Sequence, residues 1–351
     1  MKESLLRSVL ILIILSTSLS AVACRKELIA TPCVAEKFVV FADAFSQYYP
    51  SISGYNVVWQ DNRSGNFEIY GHNLQTETGF TIHTNESSIC MTAISGDIFI
   101  WNDWRDDGSY NDSVTSWADW NYNGSYPESV IYGYNLSSGQ KFSIPGVKEC
   151  EELSGDIILW TDGPNVDIYG YNLSSGEELS FHTYPPSLLS PYRLSPAASG
   201  NIVVWTDYRN DNGDIYGYHL DTKEEFAICT DPHEQKRPDV SGDTVIWLDY
   251  RNDTPAIYGY NLSSGKEFVI CTTAEGYSHP VISGDIIVWH DNRDGDGDIY
   301  GYNLNTREEF AICTDPHEQE RPFISGDTVI WLDLRNGNWD IYGARLTFDN
   351  P

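Results

Sequence analysis

After residue 35 the chain alternates between short apolar runs and clusters of Gly, Asn, Asp and Ser. Runs such as Ile286-Ile287-Val288-Trp289 and Thr328-Val329-Ile330-Trp331 are continuous rather than alternating. They are too short for helices and rich in β-branched and aromatic residues. They predict strands buried on both faces, joined by tight polar turns. No amphipathic helical pattern follows the N-terminal segment.

The pattern repeats. Trp recurs at 59, 101, 160, 205, 247, 289 and 331, with spacings of 42, 59, 45, 42, 42 and 42. Ser-Gly stands six residues before each Trp, and Ile-Tyr-Gly follows, with Tyr70, Tyr132, Tyr169, Tyr216, Tyr258, Tyr300 and Tyr342. Each unit reads as four strands, and a period near 42 with four strands per unit is the mark of a β-propeller blade. The last unit stops after its third strand. Glu36 to Gly54 aligns without a gap on Glu308 to Gly326 and supplies the fourth. The expectation is therefore an all-β, seven-bladed β-propeller over 35–347, closed by the N-terminal strand completing the last blade. Each Trp should fill the space between blades, and each Gly after Tyr should face a neighbouring ring.

The first 23 residues differ in kind. Lys2 and Arg7 precede Val9 to Leu15, and Ala21-Val22-Ala23 follows. This is the layout of a secretory signal, and its apolar run is shorter than the ~18–20 residues of a membrane span. Residues 24–34 read as a linker. Cys24 directly after Ala23 makes a lipobox-like junction, so a lipid at Cys24 would be the protein's membrane tether. Export, to the cell surface or beyond it, is the expected localisation. Sequons at Asn62, Asn85, Asn111, Asn123, Asn135, Asn172 and Asn261 suit an exported glycoprotein. That at Asn252 is spoiled by Pro255.

Charge narrows the partners. Lys and Arg number 21 against 51 Asp and Glu, a net charge of −30, which excludes a nucleic-acid binder that must neutralise phosphates. A monomer that binds a surface protein or a glycan is expected.

The unit Ser-Gly-Asp-x-x-x-Trp-x-Asp-x-Arg…Asp-Ile-Tyr-Gly-Tyr-Asn-Leu, at 283–304, resembles TolB-type propeller repeats and, more closely, those of archaeal cell-surface proteins. Ser-Gly-Asp replaces the Ser-Pro-Asp-Gly turn of TolB, and seven blades replace six. The resemblance implies an extracytoplasmic scaffold that binds or displays something.

Three features are candidates for function. The Asp-x-Arg pairs, Asp61/Arg63 through Asp333/Arg335, recur around the ring and read as structural latches. Asp291, Asp294, Asp296 and Asp298 line an oxygen-rich turn of the sort that takes Ca²⁺, without the EF-hand register; no other cofactor is implied. Blade two carries about 20 extra residues between its second and third strands, counted against the 11 that separate Trp from Tyr in most units. They bring Trp104, Tyr110, Trp117, Trp120, Tyr122 and Tyr126 beside several acids. The long connector from Tyr184 to Pro196, with Tyr192 and Arg193, emerges on the same rim. These aromatics and Arg193 form the expected ligand-binding surface. No catalytic motif is present: there is no Gly-x-Ser-x-Gly, no His-Glu-x-x-His and no phosphate loop. A non-catalytic binding scaffold is the first reading. A polysaccharide lyase or hydrolase acting over the ring axis, and a structural envelope component, are the alternatives.

Overall fold

The computed structural model describes residues 33–348 apart from 66, 83–87, 105–128, 145–151, 163–166, 182–193, 211, 253, 273–278 and 294. It contains seven antiparallel sheets of four strands each, and no helix among the described residues. Successive sheets are consecutive in sequence except the last, whose order is β1-β28-β27-β26. Here β1 is Cys33–Phe41, β26 Gln319–Ser325, β27 Thr328–Asp333 and β28 Asp340–Phe348. The register pairs Cys33 with Phe348 and Val39 with Tyr342, so the two ends of the chain share a blade. The fold is a seven-bladed β-propeller. Closure leaves no blade with an unpartnered face.

Each gap between blades holds one cluster of buried apolar side chains, with one repeat Trp in each. Trp331 packs on Ile286, Val288 and Ile299 of the preceding blade. Trp59 packs on Ile330, Leu332 and Ile341 across the closing seam. Trp101, Trp205, Trp247, Trp289 and Trp160 fill the remaining five gaps. A buried Trp removes ~200 Å² from water, roughly 5 kcal/mol gross before ordering entropy is subtracted. The continuous apolar runs are thus explained, because each second strand is covered on both faces.

The Ser-Gly signature has a separate role. The Gly adopts a left-handed backbone, φ +55° to +60° at Gly242, Gly284 and Gly326, and turns the chain into the second strand. Its N–H donates to the Ser hydroxyl of the preceding blade. Ser53, Ser95, Ser199, Ser241 and Ser283 accept in this way from Gly96, Gly155, Gly242, Gly284 and Gly326, and Ser325 accepts from Gly54 at the seam. These bonds link the inner strands blade to blade.

The Gly of Ile-Tyr-Gly meets the expected ring. A Cβ built on Gly259 would lie 2.6 Å from Cζ of Phe268 on the fourth strand, and five other blades show the same approach with Phe80, Phe142, Phe226, Phe310 and Phe38. Blade three has Leu179 there instead. Gly259→Ala is therefore expected to lower stability by about 1–3 kcal/mol through overpacking. Urea unfolding followed by Trp fluorescence measures it, and an unchanged midpoint would refute the packing account.

Candidate functional site

The innermost strands line the ring axis. They are β2 (Tyr48–Ser53), β10 (Glu152–Ser154), β18 (Gln235–Ser241), β22 (Val281–Ser283), β26, and their counterparts in blades two and four. In blades one, four, five, six and seven the strand opens with a residue followed by Pro, five positions before the turn Gly: Tyr49, Ser195, Arg237, His279 and Arg321. The Pro side chains are buried, whereas the residues before them are half-buried at Tyr49, Ser195 and Arg237 and exposed at His279 and Arg321.

The backbone here is unusual. Tyr49, Ser195, Arg237 and Arg321 hold φ of 50°, 44°, 53° and 52°, a left-handed conformation that bulky side chains avoid. The register of β2, β18 and β26 against their second strands shifts at this point, forming bulges. Bulges re-aim side chains, and strained backbone persists where the surroundings over-determine it. The repeat thus presents its most variable position at the mouth of the axis. Going round blades five, six, seven and one, that position reads Arg237, His279, Arg321, Tyr49. In a chain of net charge −30, two arginines within three successive blades are a local concentration of positive charge.

The groups interact. The Arg321 guanidinium lies 5.6 Å from the Tyr49 ring centroid, and its Nε is 3.3 Å from Glu320. The His279 side chain is exposed at its edge, and the protein packed around its remainder pushes its pKa down to about 4 by desolvation; the positive charges of Arg237 and Arg321 push the same way. One step further along the axis, at equivalent positions of β10 and β18, lie Glu152 and Asp239. Burial holds Glu152 well above the usual carboxylate range, and the charge of Asp239 adds to it. Asp239 is pushed up to about 6 by burial, against the opposing effect of the Ile282 and Val240 N–H groups that its oxygens accept, each at 2.8 Å. Beside the arc, at the seam between blades seven and one, is a pocket of about 210 Å³ lined by Tyr48, Tyr49, Glu320, Arg321, Leu332 and Trp339.

The rim is fixed by hydrogen bonds between its two kinds of loop. Asn212, in the turn between second and third strands of blade four, donates to the carbonyls of Asp231 and His233 in the next connector, at 3.0 and 2.7 Å. Asn338 does the same to Asp43 and Phe45. Second-to-third-strand turns and connectors therefore share one face, and the strands flanking the blade-two insertion, paired through Trp104 and Ser129, direct it there too. Side chains of the predicted ligand surface are not part of this picture. Tyr110, Trp117, Trp120, Tyr122, Tyr126, Tyr192 and Arg193 lie outside the described residues, and of Trp104 only the backbone is described. So do Cys24, Asn85, Asn111 and Asn123.

The predicted cation turn is taken apart by the structure. Asp291 is wholly buried and accepts from the Trp289 indole at 3.0 Å and from Arg293 at 2.5 Å. Asp298 is buried, Asp296 is exposed, and Asp294 lies outside the described residues. Asp296 occupies the place of Asn212 and Asn338, facing the connector of Asp315 and His317. A carboxylate cannot donate to those carbonyls, so Asp296 and Asp298 are the residues of this turn that could hold a hard cation. Elsewhere, Cys313, Asp315 and Asp333 converge, but Arg335 Nη2 already stands 2.7 Å from Asp315 and 2.6 Å from Asp333. Its guanidinium supplies the positive charge.

The Asp-x-Arg latch is architectural. In five blades the Asp accepts the indole N–H of the repeat Trp at 3.0–3.1 Å. The Arg grips the same carboxylate and stacks 3.9–4.2 Å over the Tyr of Ile-Tyr-Gly. In blade two Lys141 lies over Trp101 and Tyr132, and Arg105 lies outside the described residues. The sequon residues Asn135, Asn172 and Asn261 cap their hairpins, their Oδ1 accepting from Ser138, Ser174 and Ser264. Asn62 is exposed. His233 bonds Asp231 within its connector, and Cys229, Cys271 and Cys313 are buried and unbridged.

No protein-family model matches the chain, and no curated protein matches it. Among solved structures, the β-propeller domain of the Trilobed protease from Pyrococcus furiosus is similar with TM-score 0.62 and 13% identity, over 88% of this chain and 99% of that one. Oligogalacturonate lyase from Vibrio parahaemolyticus is similar with TM-score 0.57 and 13% identity, over 89% and 96%. TolB from Acinetobacter baumannii is also a neighbour, at TM-score 0.48 and 14% identity over 72% of this chain, which spans 61% of TolB's length. At these identities the likeness is one of fold alone, a β-propeller.

The depressed pKa of His279 makes a signed prediction. The unfolded chain takes the proton near the ordinary value of about 6.5, the folded one only near 4. His279 therefore contributes no penalty above about pH 6.5 and costs stability as pH falls from there toward 4. His279→Gln should flatten this part of the stability–pH curve. Parallel curves for the two proteins in chemical unfolding from pH 7 to 4.5 would contradict the assignment.

Proposed function

We propose that this protein is an exported, cell-surface β-propeller that acts as a non-catalytic binding scaffold for a glycan or protein partner. The observation that carries the reading is that departures from the seven-fold repeat gather on one face. The strand ends at Trp104 and Ser129 that flank the blade-two insertion, the start of β14 (Ala197–Ser199) after the long connector, and the Arg237–His279–Arg321–Tyr49 arc all belong to the rim where the inner strands begin; the insertion and residues 182–193 of the connector lie outside the described residues. On the opposite rim five hairpins, those of Asn73, Asn135, Asn172, Asn261 and Asn303, are capped by the same Asn carbonyl oxygen, while blade four has His219 there and Asn201 accepts from its turn. A scaffold that is uniform except where it meets its partner is what a binding propeller requires. The signal-like N-terminus, the −30 charge and the sequons support export. Removing residues 106–126 should reduce binding to intact cell envelopes by at least about tenfold, because the aromatic anchors of an interface carry most of its energy. Unchanged binding with an unchanged melting midpoint would count against the insertion as part of the surface.

One observation favours a second reading, a carbohydrate-active enzyme with its centre over the axis. Glu152 and Asp239 are a carboxyl pair with raised pKa values, and a carboxyl kept protonated near neutral pH is what a general acid needs. Burial holds Glu152 well above the usual carboxylate range, so Glu152 would be the proton donor. Polysaccharide turnover that Glu152→Gln abolishes would establish this reading; a panel of polysaccharides left intact by the unaltered protein, with and without Ca²⁺, would exclude it.

A further inference from the structure

The axial arc has properties that the binding reading alone does not use, and the inference drawn from them rests on that reading and names its ligand. Arg237, His279 and Arg321 occupy one repeat position on three consecutive blades whose inner strands are tied side by side by the Gly284–Ser241 and Gly326–Ser283 hydrogen bonds. Arg321 belongs at once to this arc and to the wall of the seam pocket. The bulges and left-handed backbone at Tyr49, Arg237 and Arg321 set these residues off from the regular alternation of the inner strands. Carboxylates are the natural partners of two guanidinium forks. A dianion suits the arc less well, because Glu320 stands 3.3 Å from Arg321 and offsets part of its charge. The pocket beside it, about 210 Å³, is smaller than the ~300 Å³ at which sites for drug-sized ligands begin, so it takes one ring rather than a stretch of chain. Its walls carry Tyr48, Tyr49 and Trp339, and an aromatic face, negative at its centre, suits the C–H face of a pyranose.

We propose that the mouth of the axis and the seam pocket together bind one residue of an acidic sugar, its ring against Tyr49 and Trp339 and its carboxylate held by Arg321 at the end of the Arg237–His279–Arg321 arc. The ligand class is a uronic-acid-type saccharide. A neutral sugar lacks the charge, and a peptide carboxylate lacks the ring.

The test uses the full mature chain, with sodium glucuronate, glucose and a dialanine peptide as probes. Calorimetry gives affinities, and NMR follows the ring protons of His279 through a pH titration. A carboxylate beside Arg237 and Arg321 cancels their repulsion of a proton on His279. Glucuronate should therefore move the protonation midpoint of His279 upward from about 4 toward the ordinary value of about 6.5. Arg321→Gln should weaken glucuronate by at least about tenfold, the equivalent of one lost charge-assisted hydrogen bond. Because Arg321 is exposed, the melting midpoint of that variant should be unchanged. Glucose should bind at least about tenfold more weakly than glucuronate. A stationary His279 signal, equal affinities for glucuronate and glucose, or a response to the peptide alone would each overturn the proposal. Envelope binding that persists while glucuronate leaves His279 unmoved would sink the sugar-acid assignment and leave the scaffold reading standing. Loss of both would sink both.

Discussion

The pairing of β1 with β28 is the constraint on which the rest of this structure depends. A propeller blade cannot bury its own second strand; the next blade must cover it. An open row of seven blades would leave Ile330, Leu332 and Ile341 on one end and Val57 and Trp59 on the other without partners. By placing Phe38 opposite Gly343 and Val39 opposite Tyr342, the N-terminal strand makes the seventh blade whole and brings these two surfaces together. The Ser325–Gly54 hydrogen bond then completes the chain of inner-strand links. Closure turns seven similar units into seven equivalent radial positions, and equivalence is what allows a single departure to have meaning.

Within that ring the conserved-looking residues of the repeat do structural chemistry. The buried Asp of the Asp-x-Arg latch satisfies an indole N–H that would otherwise lie unpaired in an apolar gap, and the Arg over the Tyr ring neutralises the carboxylate. Such a unit is costly to break, and its residues recur in six of the seven blades, blade three having Pro164 in place of the Arg. The axial position five residues before the turn Gly has no such duty. Its side chain reaches neither the core nor the latch, so it is free to vary from blade to blade. The ring geometry collects those variations around one opening, where Arg237, His279 and Arg321 stand against the charge of the whole.

Much of this was legible in the sequence. Repeats at 42 residues, the continuous apolar runs and the alignment of Glu36–Gly54 on Glu308–Gly326 give blade number and closure, because strand period and repeat period are one-dimensional properties. The ring facing Gly259 was legible too, since a strand Gly has few other uses. The axial arc was not. Arg237, His279 and Arg321 are 42 residues apart and look like noise in the repeat; only closure makes them neighbours. The signal that could have found them is the residue before the inner-strand Pro, which changes chemistry in each blade while its surroundings do not. The cation turn was misjudged in one particular: Asp291 is chemically like Asp296, but its strand position buries it beneath Trp289, and exposure is not written in composition.

The account's central claim is that function resides on the face where the inner strands begin. Hydroxyl-radical footprinting of the protein, alone and mixed with isolated cell envelopes, tests this most directly. Protection should fall on Tyr49, Arg237, His279, Arg321 and Trp339 and spare the hairpins at Asn172, Asn261 and Asn303. Protection confined to those hairpins, with the axial mouth left open to radicals, would contradict the account.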